Sequence, residues 1–151
     1  MAQRKIPAVY MRGGTSKGVF FRPEDLPANT VLRDKILLRV IGSPDPYAKQ
    51  TDGKGGATST TNKVVLVGSS SHPDCDVDSL FVATSIETPV IDWSGKCGNL
   101  TSPVGPFAVA RDFVKAPKDC GAIVLICTYS CHRLSPPNSG HLHHDYDYCH
   151  A

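Results

Sequence analysis

Apolar positions along the chain fall into short runs separated by polar, glycine-rich stretches, a spacing that predicts several strands and two helical segments. Residues 6–11 are largely apolar, residues 12–18 (RGGTSKG) are rich in glycine and hydroxyl groups, and Val19, Phe20 and Phe21 are apolar again. Two such runs around a glycine-rich turn predict a hairpin with an elaborate tip. Pro23 and Pro27 mark a loop, and from Asn29 or Thr30 the residues Leu32, Ile36, Leu37, Val40 and Ile41 recur at helical spacing until Gly42 and Pro44 stop the helix.

Residues 52–62 (DGKGGATSTTN) form a second glycine- and hydroxyl-rich loop, which leads through Lys63 into the strand Val64, Val65, Leu66, Val67. Residues 69–78 read as a polar turn. Leu80, Val82, Thr84 and Ile86 then alternate with Phe81, Ala83, Ser85 and Glu87, which predicts a strand, and residues 90–93 predict another short one. Leu100, Val104, Phe107, Ala108 and Arg111 make a helical stripe, but Pro103 and Pro106 are tolerated only in a first turn, so the regular helix is expected to start near Ser102. Residues 122–127 (AIVLIC) predict a buried strand. From about Thr128 apolar periodicity is lost, and the segment has too little apolar content to offset its ordering entropy; it is expected to be partly disordered.

Composition narrows the class. The 151 residues are 40% hydrophobic and 20% charged, enough for a core of ordinary size. No apolar run approaches the roughly 18 residues of a membrane span, and the N-terminal residues carry no apolar core of a secretory signal. A formal charge of +2 with interspersed signs leaves no basic stripe for nucleic acid. The six cysteines are unevenly spread, so reduced thiols in the cytoplasm are expected rather than a disulfide framework.

Two residues and two loops are candidates for chemistry. Cys97 lies in the stretch WSGKCGNL, framed by Gly95 and Gly98 and followed by Asn99. Backbone N–H groups in such a turn, ahead of a helix, favour a thiolate, although a small buried cysteine in a turn has the same appearance. Lys63 stands where a polar loop meets an apolar strand; partial burial there makes it a candidate base, against the commoner solvated lysine. Neither RGGTSKG nor DGKGGATST matches a phosphate loop or a dinucleotide fingerprint. Both offer N–H and hydroxyl donors, Gly56 and Thr58 among them, that suit carboxylates; both are also the residues that ordinary turns prefer. The histidines and cysteines after Cys127 fit no closed structural zinc pattern, so no specific metal site is expected.

In this order, YMRGGTSKGVFF, VIGSPDPYAKQTDGKGGATSTTNKVV, DVDSLF and VIDWSGKCGNL resemble the N-terminal half of the PrpF family, over about residues 6–115. The resemblance implies an α+β, diaminopimelate epimerase-like fold, of which this chain holds a single half: a curved, mostly antiparallel sheet or barrel around a central helix. It implies a domain over residues 1–120, followed by an atypical tail over 121–151 in place of the family's second half. The implied activity is cofactor-independent isomerisation of an unsaturated tricarboxylate such as 2-methylaconitate or aconitate. The implied catalytic pair is Lys63 and Cys97, facing one another across the substrate, with either able to remove the proton and Lys63 the preferred base. Arg12, Gly14, Thr15, Ser16, Gly98 and Asn99 are implied to hold substrate carboxylates, with Gly56 and Thr58 from the second loop. The expected partner is an unsaturated di- or tricarboxylate, with no nucleic acid, no membrane and no metal, and pairing of two copies is the oligomeric hypothesis. The alternative is a truncated, catalytically inactive fragment that keeps only folding or partner binding.

Overall fold

The computed structural model describes residues 3–115 and 126–129. Its strands are β1 (Val9–Gly13), β2 (Ser16–Phe21), β3 (Lys63–Ser69), β4 (Val77–Thr84), β5 (Ile91–Asp92) and β6 (Ile126–Tyr129). Its α-helices are α1 (Thr30–Ile41), α2 (Gly98–Thr101) and α3 (Val104–Ala110). The strands form one sheet in the order β1-β2-β3-β4-β5, with β6 pairing parallel to the start of β4. The β1–β2, β3–β4 and β4–β5 pairs are antiparallel and the β2–β3 pair is parallel, so the protein is α+β.

Alternation of side chains across each strand gives the sheet two unlike faces. Val19 and Phe21 of β2, Val64 and Leu66 of β3 and Val82 of β4 pack against Leu37 and Ile41 of α1. The intervening residues Phe20, Val65, Val67 and Val77 point to the other face, against Leu100 of α2 and Val104, Phe107 and Ala108 of α3. The rings of Phe20 and Phe107 sit 5.6 Å apart and join sheet to helix.

The local elements follow from their residues. Asn29 caps α1, its side chain accepting from the Leu32 N–H at 2.9 Å. Gly42 closes the helix in the left-handed region at φ 85°, with its own N–H and that of Ser43 returning to Leu38 O. The hairpin tip is a tight turn through Gly14 and Thr15 between the paired Gly13 and Ser16. The helix expected near Ser102 is interrupted: α2 is one turn, Pro103 stands at the N-cap of α3, and Pro106 falls in its first turn, where its missing N–H costs nothing. β4 begins at Val77, inside the segment read as a polar turn, because pairing with β3 continues to Ser69 opposite Val77. Of the expected 122–127 strand, Ile126 and Cys127 open β6, and residues 122–125 lie outside the described residues.

Cys75 is disulfide-bonded, a departure from the expected reduced thiols. Spacing along the sequence carries no measure of distance in space, so it could not show this pairing. The expected disorder after Thr128 and the metal-ligand types of the tail lie outside the described residues, apart from the strand positions Thr128 and Tyr129. Among the described residues, no helix is long and apolar enough to cross a membrane and no cluster of metal-ligating side chains occurs.

Candidate active site

Strand parity places the two candidate residues together. On β3, Lys63 shares its face with Val65 and Val67; on β2, Ser16 shares its face with Phe20. The parallel pairing sets Gly18 opposite Lys63, which leaves Ser16 at the same end of the sheet. Cys97 is the N-cap residue of α2, with extended backbone (φ −141°, ψ 98°), and its side chain packs against this face. Its carbonyl accepts from the N–H groups of Leu100 and Thr101, which start the helix.

The result is a direct contact. Lys63 Nζ lies 3.2 Å from Cys97 Sγ and donates to Ser16 Oγ at 3.1 Å. Cys97 Sγ is 4.0 Å from Ser16 Oγ. Asn99 Nδ2 donates to Thr15 Oγ1 at 2.9 Å and reaches Ser16 Oγ at 3.4 Å. Lys63 and Cys97 are half-buried, and the Lys63 ammonium stands 5.7 Å from the centre of the Phe81 ring. At hydrogen-bond distance the pair leaves no space for a substrate carbon between its two atoms, so Lys63 and Cys97 here face one another directly.

Other expected residues stand in different relations to this pair. Arg12 pairs with Lys17 on the opposite parity from Ser16, and its guanidinium folds over the turn to donate to Gly14 O at 3.0 Å. Gly98, Asn99, Gly14 and Thr15 are exposed beside the pair. Gly56 and Thr58 bond within their own loop: the Gly56 N–H donates to Thr61 Oγ1 at 3.0 Å, and the Thr58 hydroxyl meets those of Thr60 and Thr61. That loop is tied to the hairpin by Lys17 N–H donating to Thr60 O at 2.9 Å.

Asn62 was not singled out by the sequence, although it precedes Lys63 directly. It is buried; its side-chain amide donates to Thr84 O, and its carbonyl accepts from Thr84 N–H at 3.1 Å and Thr84 Oγ1 at 3.2 Å. These bonds lock the residue just before β3 to the end of β4. A polar residue just before an apolar strand was the available signal, but its burial depends on the β3–β4 register.

An amine and a thiol in contact, set at one end of a sheet-and-helix core with hydroxyl, amide and backbone donors around them, define a site suited to proton transfer on an anionic substrate. A protein-family model described as PrpF protein matches residues 3–130, and the chain belongs to that family. It is 58% identical over 120 residues to a 2-methyl-aconitate isomerase of Cupriavidus necator, covering 77% of this chain and 30% of that protein. It is 52% identical over 114 residues to a 3-methylitaconate isomerase of Eubacterium barkeri, covering 76% of this chain and 30% of that protein. The crystal structure of methylitaconate-delta-isomerase superposes with a TM-score of 0.78 at 48% identity, over 83% of this chain and 32% of that one. The chain therefore spans about 30% of the length of the curated relatives it matches.

Proposed function

We propose that this chain carries one wall of the active site of an isomerase of unsaturated di- or tricarboxylic acids, working by proton transfer without a cofactor. The observation that carries the reading is the contact of Lys63 Nζ with Cys97 Sγ at 3.2 Å. The relatives' activities on methylaconitate and methylitaconate support the substrate class. Lys63, as the free amine, removes a proton from the carbon next to the conjugated double bond, leaving an allylic carbanion delocalised into a carboxylate. Return of a proton from Cys97 at the far carbon completes an allylic shift; rotation before its return completes a cis–trans change. Backbone N–H groups at Gly14 and Gly98 and the side chains of Thr15 and Asn99 are the donors for substrate carboxylates, with Arg12 supplying positive charge beyond the turn. The reaction is redox-neutral: it leaves Lys63 as ammonium and Cys97 as thiolate, and proton transfer across their 3.2 Å contact restores the amine and the thiol.

The test is the change in ultraviolet absorbance of the conjugated acid with aconitate and 2-methylaconitate as substrates. Turnover is expected to fall by about 10²–10⁴-fold on Lys63→Ala or Cys97→Ala, the range for loss of a general acid or base. Variants as fast as the parent chain defeat the assignment of the pair. The limited coverage of the relatives favours a second reading, in which the chain folds and binds but does not turn over. Binding of the acid without any change in absorbance selects that reading.

A further inference from the structure

Ser16 has a surrounding that the proposed function does not use. Its residue is 1% exposed, so its hydroxyl is closed to solvent while the neighbouring Thr15 and Gly14 are open. A serine oxygen has two lone pairs and one proton. Lys63 Nζ at 3.1 Å and Asn99 Nδ2 at 3.4 Å are both donors, so they occupy the lone pairs. Cys97 Sγ, at 4.0 Å, directs its donor at the same oxygen, so Ser16 Oγ is the shared acceptor of all three groups. A buried hydroxyl is stable only when its partners are satisfied, and here these partners are the two proposed catalytic groups and the residue two positions beyond one of them.

The position is also held from behind. Ser16 closes the hairpin opposite Gly13, whose missing Cβ would collide with the carbonyl of Asn99, so the hairpin backbone rests on α2. Ser16 is thus bound to β3 through Lys63 and to α2 through Asn99.

We propose that Ser16 is a positioning residue: its buried hydroxyl holds the Lys63 ammonium and the Cys97 sulfur in register and takes no part in binding substrate. This rests on the proton-transfer reading of the pair, and differs from the expectation that Ser16 holds a carboxylate. A substrate ligand has to present its hydroxyl to the substrate, whereas this one is enclosed by the pair it orders.

The thiol itself reports the role without need of turnover. Iodoacetamide reacts with the thiolate, and the rate at Cys97 is read at pH 7 from the mass of the peptide that contains it. In Ser16→Ala the rate is expected to fall about tenfold, the effect of losing one hydrogen bond to a charged group. Asn99→Ala, at an exposed residue that does not endanger folding, is expected to slow the reaction by a smaller factor. With acid substrates, Ser16→Ala lowers kcat and leaves KM within about twofold, the signature of a lost effect on the reacting groups rather than on binding. Unchanged alkylation in both variants, or a Ser16→Ala variant with raised KM and full thiol reactivity, overturns the proposal. If the parent chain shows no turnover at all, the isomerase reading fails, and the alkylation rates still decide the role of Ser16.

Discussion

The two faces of the sheet are built from alternate residues of the same strands, yet they differ in kind. The buried cluster on the α1 face is apolar, from Val19 and Phe21 through Val64 and Leu66 to Leu37 and Ile41 of the helix. The α2–α3 face is equally apolar around Phe20, Val65 and Phe107, but at the end where Lys63 and Ser16 stand it becomes polar within one residue step along each strand. The first face only has to exclude water. The second does so and also stops short, leaving an amine and a thiol half-buried where packing ends. A site arises here by truncating a core rather than by adding a loop to its surface.

Paired truncations test the division most strongly. Phe107→Ala removes the ring that joins α3 to Phe20 and is expected to cost about 3–5 kcal/mol in urea denaturation. It should also change the alkylation rate of Cys97, because α2 and α3 are consecutive and share this core. Leu37→Ala on the α1 face is expected to cost about 2–5 kcal/mol while leaving Cys97 reactivity in the folded protein unchanged. Equal effects of both variants on the thiol would show that the faces do not act separately. A milder change on the α1 side is Asn29→Ala, which loses the cap and about 1 kcal/mol, measured as a lowered urea midpoint.

The smallest expected effect is one of pH. The backbone N–H of Tyr47 is the first cause that holds the Asp45 carboxyl below its ordinary value of 3.8, with those of Gln50 and Lys49 adding to it. The folded state thus prefers the ionised form. That contribution is fully present above the unfolded value and is lost as pH falls through the lower folded one. Amide exchange of Gln50 is expected to accelerate as the carboxylate protonates, while Cys97 alkylation follows its own profile. Asp45→Asn should flatten the acid dependence of that exchange, and no flattening would assign the protection to other groups.

Much of this was legible along the chain, and the reasons are local. Asn29, Gly42 and Pro44 bound α1 because capping is decided within four residues of each helix end. Lys63 and Cys97 stood out by their settings, but their contact joins positions 34 residues apart. It depends on the parallel register of β2 with β3, reached only after α1 and a long loop, and on the single turn of α2. The same dependence on register hid Asn62, whose burial comes from Thr84, and moved the start of β4 to Val77. The break at Pro103 was half visible: the prolines announced an interruption, and tertiary packing decided that one helical turn precedes it. Arg12 was read from its motif, and its place on the opposite face of the hairpin from Lys63 comes from the strand register, which the motif does not carry.

Gly13 has a consequence of its own. It bears no functional group, yet a single added carbon at this position would be driven into the Asn99 backbone. The steric demand of the site therefore extends to a place where nothing reacts. The residue is specified by an atom it lacks, and a side chain here would part hairpin from helix while leaving Lys63 and Cys97 themselves unchanged. Along the chain, the reach of the active site is wider than its reactive atoms, and part of its boundary is drawn by empty volume.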